Sequence, residues 1–201
     1  MKTMQLPKMS TIKPRQIPNL TEDYLDYPNL LQKKFDPTAP NQVWVSDITY
    51  IRVDNRFCYV CAIIDLFARK LIACKAGNKS NSGLVVSAFN TAYHDRGSPS
   101  GVLFHSDRGC QYTSMEFRKV LDNVNFVQSF SAKAHPFDNA VAESFFKYLK
   151  HEELNRKSFH SIEGLNLSLF EYSHFYNTQR PHSFNDGLTP VDMELIFYAN
   201  S

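Results

Sequence analysis

The chain has 201 residues, with 22 basic against 20 acidic side chains and a net charge of +2. That length fits one domain, or one domain with an extension. So even a charge balance neither demands nor forbids a nucleic-acid partner. Apolar residues at 43% and 16 Phe with 10 Tyr exclude a disordered chain. The longest apolar run, residues 57–64, is far short of the roughly 20 residues of a membrane span, and residues 1–20 carry no signal-type apolar stretch. Four cysteines do not make a disulfide scaffold, so a cytoplasmic location without a membrane partner is expected.

Residues 1–40 hold six prolines and no histidine. They read as an N-terminal extension or linker with at most a short helix over 29–34. Residues 41–201 read as the main domain with a C-terminal helical segment. Val43, Val45, Asp47, Thr49 and Ile51 alternate with Trp44, Ser46, Ile48 and Tyr50, which is strand periodicity. Turn residues 54–56 lead into a second strand over 57–65, and a third follows over 71–76. Cys58 and Cys61 lie three apart on the second strand. They point to opposite faces, so core packing is expected rather than a shared metal.

The pattern then alternates. A helix is expected over 81–94, a strand over 102–106, a helix over 114–122, a strand over 126–130, and helices over 140–153 and 162–176. Three antiparallel strands followed by parallel additions through helices make a five-stranded mixed α/β sheet covered on both faces.

Three acids stand where packing alone does not ask for them. Asp47 interrupts a strand whose two faces are both largely apolar, where an unpaired carboxylate is costly. Asp107 follows the fourth strand, at the end where open α/β sheets place ligands. Glu143 falls in the first turns of the helix after the 131–138 loop. Each has a plain alternative: a paired strand acid, a turn opener, or a helix-dipole partner. On the helix, Glu143, Lys147 and Lys150 share one stripe, while Val141, Ala142, Phe145, Tyr148 and Leu149 form the packing side. A solvated Glu–Lys pair would explain that stripe but not the two aspartates. Three carboxylates suit two-metal phosphoryl transfer with Mg²⁺ or Mn²⁺, whose natural substrate is a phosphodiester.

Residues 44–51 (WVSDITYI), 105–114 (HSDRGCQYTS) and 138–146 (DNAVAESFF) resemble the integrase core of bacterial insertion-sequence transposases, the IS-three family, relatives of retroviral integrases. Thirty-five residues separate Asp107 from Glu143, the spacing of the family's D, D-35-E signature. Lys150 stands at the family's basic position, and Tyr176-Asn177, Arg180-Pro181-His182 and Thr189-Pro190 look like its C-terminal segment. The likeness runs from about residue 41 to 193.

This resemblance implies an RNase H-like fold, and cutting of DNA at mobile-element ends followed by joining of a 3′-hydroxyl to target DNA. It implies Asp47, Asp107 and Glu143 as catalytic metal ligands for two Mg²⁺ or Mn²⁺ ions. Lys150 would contact DNA, with Lys147, Asn139, Arg108, Lys133 and Arg180 as further DNA contacts. DNA, a second copy of the chain, an upstream-frame helix-turn-helix protein and association with the bacterial nucleoid are the implied partners and setting. A nuclease that cuts without joining and a non-catalytic DNA-binding remnant stand as alternatives. His105, two residues from Asp107, is a further candidate near the site.

Overall fold

The computed structural model describes residues 28–132 and 136–201. Strands β1 (Val43–Val53), β2 (Arg56–Asp65) and β3 (Lys70–Gly77) form an antiparallel meander; α1 (Ser82–Asp95) then leads to β4 (Leu103–Ser106). The short α2 (Cys110–Thr113) and α3 (Met115–Asn123) precede β5 (Val127–Phe130), and α4 (Ala140–Glu152), α5 (Ile162–Thr178) and α6 (Pro190–Ala199) complete the chain. The sheet order is β3-β2-β1-β4-β5, with β4 parallel to both β1 and β5. The expected mixed five-stranded sheet is therefore present.

Strand alternation sorts the core into two layers. Val45, Val60, Ala62 and Ile64 face α4 and α5, meeting Phe145, Leu149, Leu165 and Leu169. Trp44, Cys61, Ile63 and Phe104 face the opposite way, against Val85, Phe89, Phe117 and Leu121 of α1 and α3. Cys58 belongs to the first layer and Cys61 to the second, and both thiols are free. Burial pushes the Cys61 thiol up to about 12, so it is an inert core group.

The structure adds to the sequence reading, or departs from it, in four places. Residues 29–34 form no helix: Asn29 Oδ1 accepts the Gln32 amide at 2.9 Å, and Gln32 and Lys33 take left-handed conformations. This is an Asx-type turn, in which the side chain replaces the first helical hydrogen bond. Of the 1–40 extension, residues 1–27 lie outside the described residues, and the following stretch is packed into the body. Leu31 is 2% exposed within the core, and the Leu30 and Leu31 amides donate to Ser129 Oγ. The helix α2 and the C-terminal helix α6 go beyond the expected elements. Finally, Tyr148 is 43% exposed rather than packed against the sheet, with the Arg180 guanidinium 4.2 Å from its ring centroid.

Candidate active site

The last β1–β4 pair is Val45 with His105. Asp47 and Asp107 each lie two residues beyond it, so they share a level and, by alternation, a face. The two strands stop pairing at this point, and a cleft of about 200 Å³ opens there. Asp47, Tyr50, Asp107, Gln111 and Tyr112 are among its lining residues.

Several bonds fix Asp107. The Gly109 amide donates to its Oδ1 at 3.0 Å. A Cβ on Gly109 would stand 2.7 Å from Gln111 Oε1 and 3.0 Å from that same Oδ1, so a larger residue here would push on the ends of both side chains. Helix α2 is anchored by Tyr112, which is 1% exposed and whose hydroxyl shares a 2.8 Å hydrogen bond with Ser46 Oγ. Gln111 Nε2 donates to Ser80 Oγ at 2.6 Å. The loop carrying Asp107 is thereby tied to β1 one residue before Asp47.

Glu143 arrives from the other layer. Ala142, Phe145, Phe146 and Leu149 bury one side of α4 on the sheet, which leaves Glu143 exposed in its first turn. Asn139, just before α4, donates from Nδ2 to the Ser46 carbonyl at 3.1 Å. Its Oδ1 is buried with no hydrogen-bond partner among the described residues. Asn139 Nδ2 therefore docks the helix start against β1, and the residue is 5% exposed.

Asp47 reports on the assembled charges. Its carboxyl is raised from 3.8 to about 6, first by burial. The negative charges of Asp107 and Glu143 add to the rise, while the hydrogen bond from the Ile48 amide (2.8 Å) and the Lys150 charge oppose it. Two further acids and Lys150 thus act on one group. Among the described residues none of the three acids has an ion pair. Glu143 and Lys147 are both exposed, with no ion pair between them among the described residues. The donor set, unpaired hard carboxylate oxygens, matches what Mg²⁺ or Mn²⁺ takes. Among the described residues, no three acidic, His or Cys side chains stand close enough together to hold an ion already. Glu143 is also not among the residues lining the cleft that Asp47 and Asp107 share.

The remaining expected residues fall into distinct places. Lys150 Nζ lies 5.3 Å from the Tyr50 ring centroid, beside the site. Arg108 Nε donates to the Ser131 carbonyl at 3.0 Å. Arg180 is a correction: its guanidinium makes three bonds of 2.9–3.1 Å to the Glu152 carboxylate, so its fork is already filled by an acid. Lys133 lies outside the described residues, as does part of the 131–138 loop. His105 lies in β4. It is fully buried, bonded through Nδ1 to Ser129 Oγ and through Nε2 to Ser131 Oγ. Burial lowers its imidazole to about 4, and it holds β4 to the strand beside it.

Sequence reasoning passed over Gly109, Gln111 and Tyr112 as working residues, although they stand within the quoted motif. It also passed over Asp138, whose buried carboxylate accepts from Asn29 Nδ2 and the Ala132 amide and closes the loop ahead of α4.

Comparison with known proteins bears on this geometry. Two family models described as integrase core domain match residues 37–136 and 126–190. The transposase for insertion sequence element IS904 of Lactococcus lactis is 37% identical over 171 residues, 85% of this chain and 68% of that protein. This chain belongs to the integrase-core transposase family. Transposase InsF for insertion sequence IS3A of Escherichia coli (strain K12) is 38% identical over 167 residues, 83% of this chain and 58% of that protein. This integrase core thus spans about six to seven tenths of the length of these relatives. Among solved structures, the HTLV-2 integrase catalytic core domain in complex with magnesium superposes with a TM-score of 0.62 at 19% identity. It covers 78% of this chain and 98% of that one. A simian T-cell lymphotropic virus intasome gives 0.65 at 17% identity, over 79% of this chain and 56% of that one. These likenesses establish the RNase H-like integrase fold.

Proposed function

We propose that this integrase core cuts DNA at the ends of a mobile element and joins the resulting 3′-hydroxyl to target DNA, with Asp47, Asp107 and Glu143 holding two Mg²⁺ or Mn²⁺ ions. The observation that carries the reading is the placement of Asp47 and Asp107 two residues past the last β1–β4 pair, on one face, with Glu143 charged within reach of Asp47. Divalent cations bound there supply activation of the attacking oxygen and stabilisation of the leaving one.

The chain's own residues do the rest. Asp47 sits on a strand paired along its whole length with β2, so its position is rigid. The Gly109 amide and the Tyr112 anchor hold Asp107 across the opening. Glu143 rides on a helix whose start is docked by Asn139 and must draw in to complete the set. Lys150 places a positive charge beside the acids, where it grips a phosphate of the DNA as a point charge. Lys147, on the exposed stripe of α4, adds a second positive charge along the same path, and Arg108 a third beside Asp107. Two element ends call for two such sites, so a homo-oligomer and a helix-turn-helix partner that reads the ends belong to this proposal, as does action at the nucleoid.

Glu143→Gln tests the reading. The fold is expected to stay intact by circular dichroism, because the side chain is exposed. Mg²⁺-dependent cleavage and joining of element-end DNA are expected to vanish, and undiminished strand transfer would sink the assignment. Pre-nicked ends separate the alternatives: joined products support a transposase, cut products alone a nuclease, and neither a DNA-binding remnant.

A further inference from the structure

Beyond Val45, β1 pairs on one side with β2 and has lost β4 on the other. On this stretch Tyr50 is 61% exposed and Phe57, on β2, is 57% exposed. Their rings meet edge to face, with centroids 5.5 Å apart and planes at 88°. Two large aromatic side chains held in water, away from either core layer, are unexplained by packing. Phe57 braces the edge of the Tyr50 ring, Lys150 Nζ lies 5.3 Å from the ring's centroid, and Tyr50 lines the same cleft as Asp47 and Asp107. The Tyr50 hydroxyl makes no hydrogen bond among the described residues, so the ring itself is what the site presents.

We propose that Tyr50 is a stacking platform for an unpaired DNA base next to the phosphate held at Asp47 and Asp107. This rests on the DNA-processing reading above. An aromatic ring beside a lysine and metal-binding acids is the combination that takes a base on its face and the adjoining phosphate on the cation. Every base offers a π-face, so the contact tolerates any sequence. It favours a strand whose flanking nucleotides are unstacked, which are also the cheapest to draw out of a duplex. Phe57 sets the ring's tilt, and Lys150 couples the stacked base to the phosphate path. Tyr50 is a binding and positioning residue; nothing in the proposal has its hydroxyl exchange a proton.

The test uses the full 201-residue chain and two probes: a short blunt duplex, and the same duplex with a single-stranded extension carrying 2-aminopurine. The wild-type chain should bind the extended probe more tightly and quench the fluorescence of the stacked base. Tyr50→Ala should weaken binding of the extended probe about tenfold and abolish the quenching, with the salt dependence of binding unchanged because no charge is removed. Tyr50→Phe should retain both. Lys150→Ala should behave oppositely, keeping the quenching while lowering the slope of log K against log salt by about one. If Tyr50→Ala binds and quenches like the wild type, the platform is overturned while the DNA reading survives. If the wild-type chain shows no salt-dependent binding of either probe, the DNA reading fails and the platform falls with it.

Discussion

The sheet carries acidic clusters at both ends, and they are built on opposite terms. At the end where β1 begins, Asp65 is fully buried and Glu194 is 4% exposed. Arg96 Nη2 lies 3.0 Å from Asp65 and 2.7 Å from Glu194, Lys70 pairs with Glu194, and the Asn41 amide donates to Asp65 at 2.7 Å. At the other end Asp47 and Asp107 line one cleft, Glu143 acts on Asp47 by its charge from α4, and none of the three has an ion pair among the described residues. Burial raises the carboxyl of both Asp65 and Asp47. For Asp65 a buried arginine works against that rise; for Asp47 two further acids add to it. The first cluster is finished as a protein structure. The second holds uncompensated negative charge, which a cation would relieve.

The sharpest way to break this contrast is to unpair the finished cluster. Arg96→Ala leaves the buried Asp65 without its cation and Glu194 with Lys70 alone, and should cost roughly 3–5 kcal/mol, read as a large fall in the urea midpoint. A change below 1 kcal/mol would show that the two ends are not different in kind.

Asp47→Asn should act in the other direction. Asp47 titrates near 6 in the folded chain against 3.8 ordinarily, so the folded state holds its proton more tightly than the unfolded one. Its burden is absent below about pH 4, grows between pH 4 and 6, and is full above that. The variant should therefore be more stable by roughly 1–3 kcal/mol near pH 8 and indistinguishable near pH 4. Mg²⁺ should raise the melting temperature of the wild type but not of the variant. A pH-independent gain would remove the charge argument.

Gly109→Ala should leave stability within about 0.5 kcal/mol, because its new Cβ meets only the ends of two side chains. By moving the Asp107 carboxylate it should slow Mg²⁺-dependent DNA cleavage about tenfold; an unchanged rate would show that Asp107 needs no such cradle. The smallest effect is expected from Tyr112→Phe. Losing its bond to Ser46 should cost about 1 kcal/mol by thermal melting, since Ser46 Oγ still donates to the Ala62 carbonyl.

Much of this was written locally in the chain. Period-two alternation in β1 and β2 places Val45 and Trp44 in different layers, and the 35 residues between Asp107 and Glu143 are visible without coordinates. Other features are not local. Asn139 and Arg180 look like solvent-facing DNA contacts until their partners, Ser46 and Glu152, come from elsewhere in the chain. His105 opens the 105–114 motif in the sequence, yet its ring is sealed by Ser129 of β5 and by Ser131 just after that strand. Helix α2 is four residues long, too short to show a period, and α6 carries apolar residues such as Leu195, Ile196 and Tyr198 on exposed positions, so it offers no amphipathic stripe. The turn at 29–34 reflects the left-handed backbone of Gln32 and Lys33, which stops a helix at its first turn although Asn29 caps the Gln32 amide.

The end of pairing between β1 and β4 has a consequence for which sequence changes the chain can survive. Trp44 is locked into one core layer while Asp47, three peptides later, serves the opposite side. Deleting a single amino acid between them would swing the carboxylate toward helix α1 and leave the indole where it was. The same shift would carry Ile51 and Val53 out of the layer they pack in and break the register with β2, so the sheet itself would be weakened. Spacing is therefore constrained along this strand together with the identities of Val45, buried in one layer, and Ser46, bonded to Tyr112.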